Sequence, residues 1–214
     1  MGDLEVGSFE SDGRKRETAI IVLHGYGANF KDLVPIRKSV KDDELFDWYF
    51  PNAPLSIPLG IGLEGRGWFP ISIGSLGLDL TSKVPDGFQE VSEKVKSLVE
   101  EIRESHGKIY LGGFSQGAIL SANVAMEWPS LVDKLFMLSG ILINENRWRR
   151  CVPGVREIPT FQSHGRYDEV LPLSGAKALN EMFRKKPNHT FLEFDGGHEI
   201  PLSAQKALSE FFHG

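Results

Sequence analysis

Residues Lys108-Ile109-Tyr110-Leu111-Gly112-Gly113-Phe114-Ser115-Gln116-Gly117-Ala118-Ile119-Leu120-Ser121-Ala122 decide how this chain is read. The first four form a short apolar run of the kind that makes a buried strand. The last five favour a helix. Between them Gly113–Gly117 has the G-x-S-x-G spacing. A strand that turns directly into a helix makes a sharp, strained elbow, and side chains in place of the flanking glycines would clash with neighbouring backbone. The elbow lifts the Ser115 hydroxyl clear of the strand edge. It also places free N–H groups at a helix N-terminus beside any negative charge developing there. This context makes Ser115 a candidate nucleophile; the alternative is a plain buried turn serine.

Working outward, further short apolar runs read as strands: Thr18–Leu23, Asp47–Phe50, Lys108–Leu111, Lys134–Leu138, Thr160–Ser163 and Thr190–Phe194. Phe88, Val91, Val95, Leu98 and Ile102 recur at steps of three and four, which puts them on one helix face. Pro85 and Asp86 give that helix a start and Gly107 a stop. A second helix is expected from Ser115 to about Glu127, a third over Ser174–Lys185 and a fourth over Pro201–Phe212. Strands alternating with helices predict an α/β fold, a mostly parallel sheet flanked by helices on both faces. The 214 residues suit one compact domain without a large cap, and no repeat or linker divides them.

One stretch breaks the alternation. Asn52–Pro85 is rich in Gly and Pro yet strongly apolar, with Leu55, Ile57, Leu59, Ile61, Leu63, Trp68, Phe69, Ile71, Ile73 and Leu76. A structureless connection of this length is often a binding loop. It is therefore expected to border a substrate, with Trp68 and Phe69 as candidate contacts, and it could support a homodimer.

A catalytic serine needs a base, and six histidines compete: His24, His106, His164, His189, His198 and His213. Where this elbow occurs, the partners follow the serine in the order acid, then histidine. His24 and His106 precede Ser115. His164 precedes the best acid, His189 follows a polar turn and His213 is penultimate. His198 lies in Gly196-Gly197-His198, directly after the strand Thr190–Phe194, at an edge where parallel sheets bind ligands. The acid that would orient it is Asp168, in the loop after Thr160–Ser163; Glu169 and Asp195 are weaker alternatives. An oxyanion needs two donors. One is the N–H of Gln116; the other is assigned to Tyr26 in the glycine-rich loop Leu23-His24-Gly25-Tyr26-Gly27-Ala28, where His24 is read as a brace.

A net charge of −5 disfavours nucleic acid or an anionic membrane as partner. The lone Cys151 cannot form an internal disulfide, which fits a reducing compartment, and Arg149 and Arg150 could lower its pKa. The acidic start Met1–Val6 reads as neither signal peptide nor myristoylation site, and no run is long enough to span a membrane, so a cytoplasmic protein is expected. His198-Glu199 begins like H-E-x-x-H, but Leu202 stands where a second metal ligand would be, so no metal site is read.

Six segments together resemble the phospholipase/carboxylesterase family, which includes the acyl-protein thioesterases: Leu23–Gly27, Phe50–Pro54, Trp68-Phe69, Gly112–Gly117, Gly165–Pro172 and Gly196–Pro201. They run in order over nearly the whole chain. The resemblance implies an α/β-hydrolase fold, no cofactor and action on carboxylic esters or thioesters. Candidate substrates are short- to medium-chain esters, lysophospholipids and acylated proteins. It further implies the triad Ser115, Asp168 and His198 with oxyanion donors at Tyr26 and Gln116. The unusual Gly- and Leu-rich composition of Ile57–Trp68 departs from the family pattern. The competing readings are a dienelactone-type hydrolase, a peptidase, and a non-catalytic module that holds a lipid or partner in the apolar stretch.

Overall fold

The computed structural model describes residues 4–10, 15–71, 84–184 and 187–214. In chain order its elements are β1 (Val6–Phe9), β2 (Thr18–Leu23), α1 (Phe30–Leu33), β3 (Phe46–Pro51), β4 (Leu55–Gly60), β5 (Leu63–Gly67), α2 (Phe88–Arg103) and β6 (Lys108–Phe114). They continue with α3 (Gln116–Glu127), β7 (Lys134–Leu138), α4 (Glu145–Cys151), β8 (Thr160–Gly165), α5 (Leu173–Phe183), β9 (His189–Phe194) and α6 (Leu202–His213). Among the described residues, seven strands form one sheet in the order β1-β3-β2-β6-β7-β8-β9. Every neighbouring pair is parallel except β1–β3, which is antiparallel at the edge.

Both sheet faces are covered, and the strands show why. Successive side chains point to opposite faces, so a strand buried on both sides must be apolar throughout. In β2, Ala19, Ile21 and Leu23 join one core cluster while Ile20 and Val22 join the other. In β7, Leu135 and Met137 face the first and Phe136 and Leu138 the second. The first cluster packs under α2, α3, α4 and α5; the second takes Leu33 from α1 and Leu208 and Phe212 from α6. The predicted apolar stripe of α2 is buried as a set: Phe88, Val91, Val95, Leu98 and Ile102.

Two expectations change. Part of Asn52–Pro85 is not structureless, because β4 and β5 pair as an antiparallel hairpin that turns at Ile61-Gly62. Gly60 and Gly62 supply the positive φ values of 144° and 74° that this tight turn demands. Leu59, Ile61 and Leu63 are exposed at its tip. Ile73 and Leu76 of the same stretch lie outside the described residues. The third helix starts at Leu173 and ends at Phe183, short of Lys185, which also lies outside them. Edge strand β1 and the short helices α1 and α4 had no expectation attached to them.

Candidate active site

The site is assembled at the carboxyl edge of β2, β6, β8 and β9. Strand β6 delivers Ser115 at φ 56° and ψ −118°, a strained conformation for a residue with a side chain. The strain is held from two sides. Ser115 N–H donates to the Leu138 carbonyl of β7 at 2.8 Å, and α3 begins at the next residue. Gly113 and Gly117 let the elbow close, since a Cβ at either would press into the Leu23 carbonyl oxygen of β2.

The acid and the base arrive on two loops tied to each other. Arg166 N–H donates to Phe194 O and Tyr167 N–H to Gly196 O, each at 2.9 Å. Gly165 has no Cβ, and one would collide with the Gly197 carbonyl, so the two loops can pack backbone to backbone. Asp168 is buried, and its Oδ1 accepts the N–H groups of Val170 at 2.9 Å and Leu171 at 2.8 Å. That fixes Oδ2 toward His198, whose Nδ1–H donates to it at 2.6 Å. With its proton on Nδ1, the imidazole presents the Nε2 lone pair to Ser115, and the hydroxyl donates to it at 2.8 Å. The Phe114 ring packs on the His198 ring at 4.7 Å between centroids.

Burial pushes the Asp168 carboxyl up, but hydrogen bonds from His198 and Leu171 and two neighbouring imidazoles outweigh it and leave the pKa lowered. The second imidazole is His164, which no role had been assigned. It is buried beneath Asp168, with Nε2 2.9 Å from the Leu171 carbonyl and 3.3 Å from Asp168 Oδ2. Burial holds its pKa below the ordinary 6.5. No spacing rule points to this contact, since His164 stands in β8 and Asp168 in the loop after it. The other candidates are engaged elsewhere. Asp195 pairs with Arg166 at 2.8 Å, Glu169 is exposed, His189 meets Asn180 and His213 meets the Lys41 carbonyl. His106 is buried against Asp47 at 3.1 Å.

The loop after β2 is built around His24. Its Nδ1–H donates to Gly25 O at 2.7 Å, while Nε2 accepts the Ala53 N–H at 3.1 Å. Burial lowers its pKa, which keeps this neutral tautomer. The loop is zipped to the hairpin as well: Gly27 N–H donates to Arg66 O and Arg66 N–H to Ala28 O, both at 2.8 Å. This holds the loop against the elbow, where a Cβ on Gly25 would lie 3.4 Å from Ser115 Cβ. The N–H of Gln116 opens α3 and so has no partner within that helix.

Trp68 and Phe69 do not stand on an open wall. They are 1% and 4% exposed. The Trp68 indole donates to His24 O at 2.8 Å, and the two backbones are clasped by the side chain of Gln116. Cys151 also differs from expectation: burial and Glu127 push the thiol up, outweighing the nearby arginines, and Arg149 pairs with Glu145 instead.

A parallel sheet covered on both faces, with a serine on a strained strand-to-helix elbow and His and Asp on later loops, defines an α/β-hydrolase. The sequence profile of the phospholipase/carboxylesterase family matches residues 5–213. The chain belongs to that family and is a hydrolase acting on ester bonds. Acyl-protein thioesterase 1 of Debaryomyces hansenii is 32% identical, covering 79% of this chain and 77% of its own length. The protein of the same name from Eremothecium gossypii is 31% identical over 85% and 81%. Among crystal structures, esterase PE8 superposes with a TM-score of 0.80 at 20% identity, covering 98% of both chains. Acyl-protein thioesterase 2 of Zea mays gives 0.77 at 19% identity, covering 98% of this chain and 97% of its own. Among the described residues no helix is long and apolar enough to cross a membrane.

Proposed function

We propose that the chain is a serine carboxylesterase and thioesterase that works through a covalent acyl-Ser115. The observation that carries this reading is the continuous Ser115–His198–Asp168 chain, at 2.8 and 2.6 Å. Ser115 Oγ attacks the acyl carbonyl while His198 Nε2 takes its proton, and Asp168 stabilises the imidazolium. The carbonyl oxygen becomes an oxyanion held by the N–H groups of Tyr26 and Gln116. As the tetrahedral adduct collapses, the bond to the leaving oxygen or sulfur breaks, and that atom departs with the proton from His198. Water then attacks the acyl-serine by the same route in reverse, releasing the carboxylic acid and restoring Ser115.

Thioesters join oxyesters in this reading because relatives named acyl-protein thioesterases share the family. Short- to medium-chain acyl groups on small, lipid-like or protein-borne leaving groups are the proposed substrates. Trp68 and Phe69 serve binding indirectly, by holding the oxyanion loop in place. The free thiol of Cys151 supports a reducing, cytoplasmic setting.

The test is Ser115→Ala. Hydrolysis of p-nitrophenyl butyrate and labelling by a fluorophosphonate should both be lost. Turnover near the wild-type rate in this variant would overturn the assignment, and an unlabelled wild type would favour a non-catalytic module.

A further inference from the structure

The serine mechanism dictates where the two halves of a substrate lie. His198 returns its proton to the leaving atom, which must therefore sit within hydrogen-bond reach of Nε2, on the imidazole side of Ser115. The acyl chain extends away from that side. A cavity of about 400 Å³ adjoins the base: His198 lines it, and so does Gly25, on which a Cβ would lie 3.4 Å from Ser115 Cβ. Its volume lies in the range of small-molecule sites. Helix α1, the turn after it, the end of β6 and the loop following His198 enclose it.

The lining is of two kinds. Leu33, Ile36, Phe114 and Ile200 give apolar walls, and Asp32 and Glu199 add two carboxylates; no lysine or arginine lines it among the described residues. Each carboxylate is steadied through one oxygen. Asp32 Oδ2 accepts the Asn29 N–H at 2.7 Å in the capping box of α1, and Glu199 Oε1 accepts the Gly197 N–H at 3.3 Å.

We propose that this cavity is the leaving-group subsite and that it selects alcohols or thiols bearing a quaternary ammonium group of the choline kind. The inference rests on the serine mechanism proposed above. A quaternary ammonium carries its charge behind methyl groups. It packs against aliphatic walls and an aromatic ring with a smaller desolvation cost than a bare ammonium. Asp32 and Glu199 supply the opposite charge, which an anionic leaving group would meet as repulsion.

The experiment compares kcat/KM for butyrylthiocholine with that for its uncharged isostere, S-3,3-dimethylbutyl thiobutyrate. The acyl group and scissile bond are the same in both. The wild type should favour the cation by about fivefold at low salt, the scale of two partly screened surface charges. The preference should shrink at about 0.5 M salt, where screening is strong. In the double variant Asp32→Asn, Glu199→Gln it should fall toward one. A wild-type ratio at or below one, or a ratio unchanged in the double variant, overturns the proposal. So does turnover of p-nitrophenyl butyrate with neither thioester accepted. If all three esters are left intact, the serine-hydrolase reading itself fails.

Discussion

Gln116 Oε1 accepts the backbone N–H of Trp68 at 2.8 Å, and Gln116 Nε2 donates to the carbonyl of Phe69 at 2.7 Å. One side chain thus joins the residues after the hairpin to the first turn of α3, and the backbone N–H of the same residue is the proposed oxyanion donor. Gln116→Ala keeps that N–H but strips both partners. Each buried backbone group left unpaired costs about 1–3 kcal/mol. The expected result is a lower melting temperature in thermal denaturation and a fall in kcat on p-nitrophenyl butyrate with KM nearly unchanged.

Trp68→Phe isolates the indole N–H, which holds the His24 carbonyl at 2.8 Å. Its loss should destabilise by about 1–3 kcal/mol, measured by urea denaturation, and should lower kcat. Because the ring is buried, a series of p-nitrophenyl esters should keep the same acyl-length preference. A shifted preference would mean that the ring reaches the substrate.

Asp168→Asn leaves the shape of the site but removes the acceptor that fixes the Nδ1–H tautomer of His198. The circular dichroism spectrum should stay native while kcat drops by about 10³–10⁴, as expected when a triad imidazole is held in the wrong tautomer. A loss under tenfold would argue that His198 is oriented by another group.

Acid should destabilise the fold through His24 and His164. Burial lowers both pKa values from 6.5, so both stay neutral in the folded chain while the unfolded chain takes up protons below about that pH. Stability is then full above 6.5 and falls as pH drops toward the lowered folded values. Each group contributes a slope of up to about 1.4 kcal/mol per pH unit. Asp168, with its lowered pKa, adds to the loss at still lower pH. Urea denaturation at a series of pH values from neutral downward would measure this, and replacing His164 by Asn should flatten the slope.

Gly117→Ala should be among the most damaging single changes. The added methyl meets the Leu23 carbonyl at the end of β2, with the carbonyl of His24, the first residue of the following loop, 2.7 Å away. The expectation is loss of both activity and soluble yield, read by fluorophosphonate labelling of the soluble fraction.

Much of this is legible in the sequence. The alternation of strand and helix, the stripe on α2 and the order of Ser115, Asp168 and His198 are local patterns, and the structure brings those three residues together. The hairpin is hidden although Leu55, Ile57, Leu59, Ile61 and Leu63 alternate with period two, because the Pro and Gly among them point to a loop. Trp68 and Phe69 read in the sequence as pocket aromatics but are buried, since apolarity alone does not tell a core ring from an exposed one. Chain order argues against His164 as the base but says nothing of its contact with the acid.

The sequence by itself determined the fold class, the elbow and the residue types that chemistry requires, because periodicity and glycine spacing act over a few residues. Only the tertiary structure decided the rest. It tied the Asp168 and His198 loops together through backbone hydrogen bonds, turned Gln116 and Trp68 into a clamp across the oxyanion loop, and opened a carboxylate-lined cavity beside His198. Those features join residues as much as 180 positions apart, such as Gly25 and Gln205 in one cavity lining, and only packing of the sheet edge sets their distances.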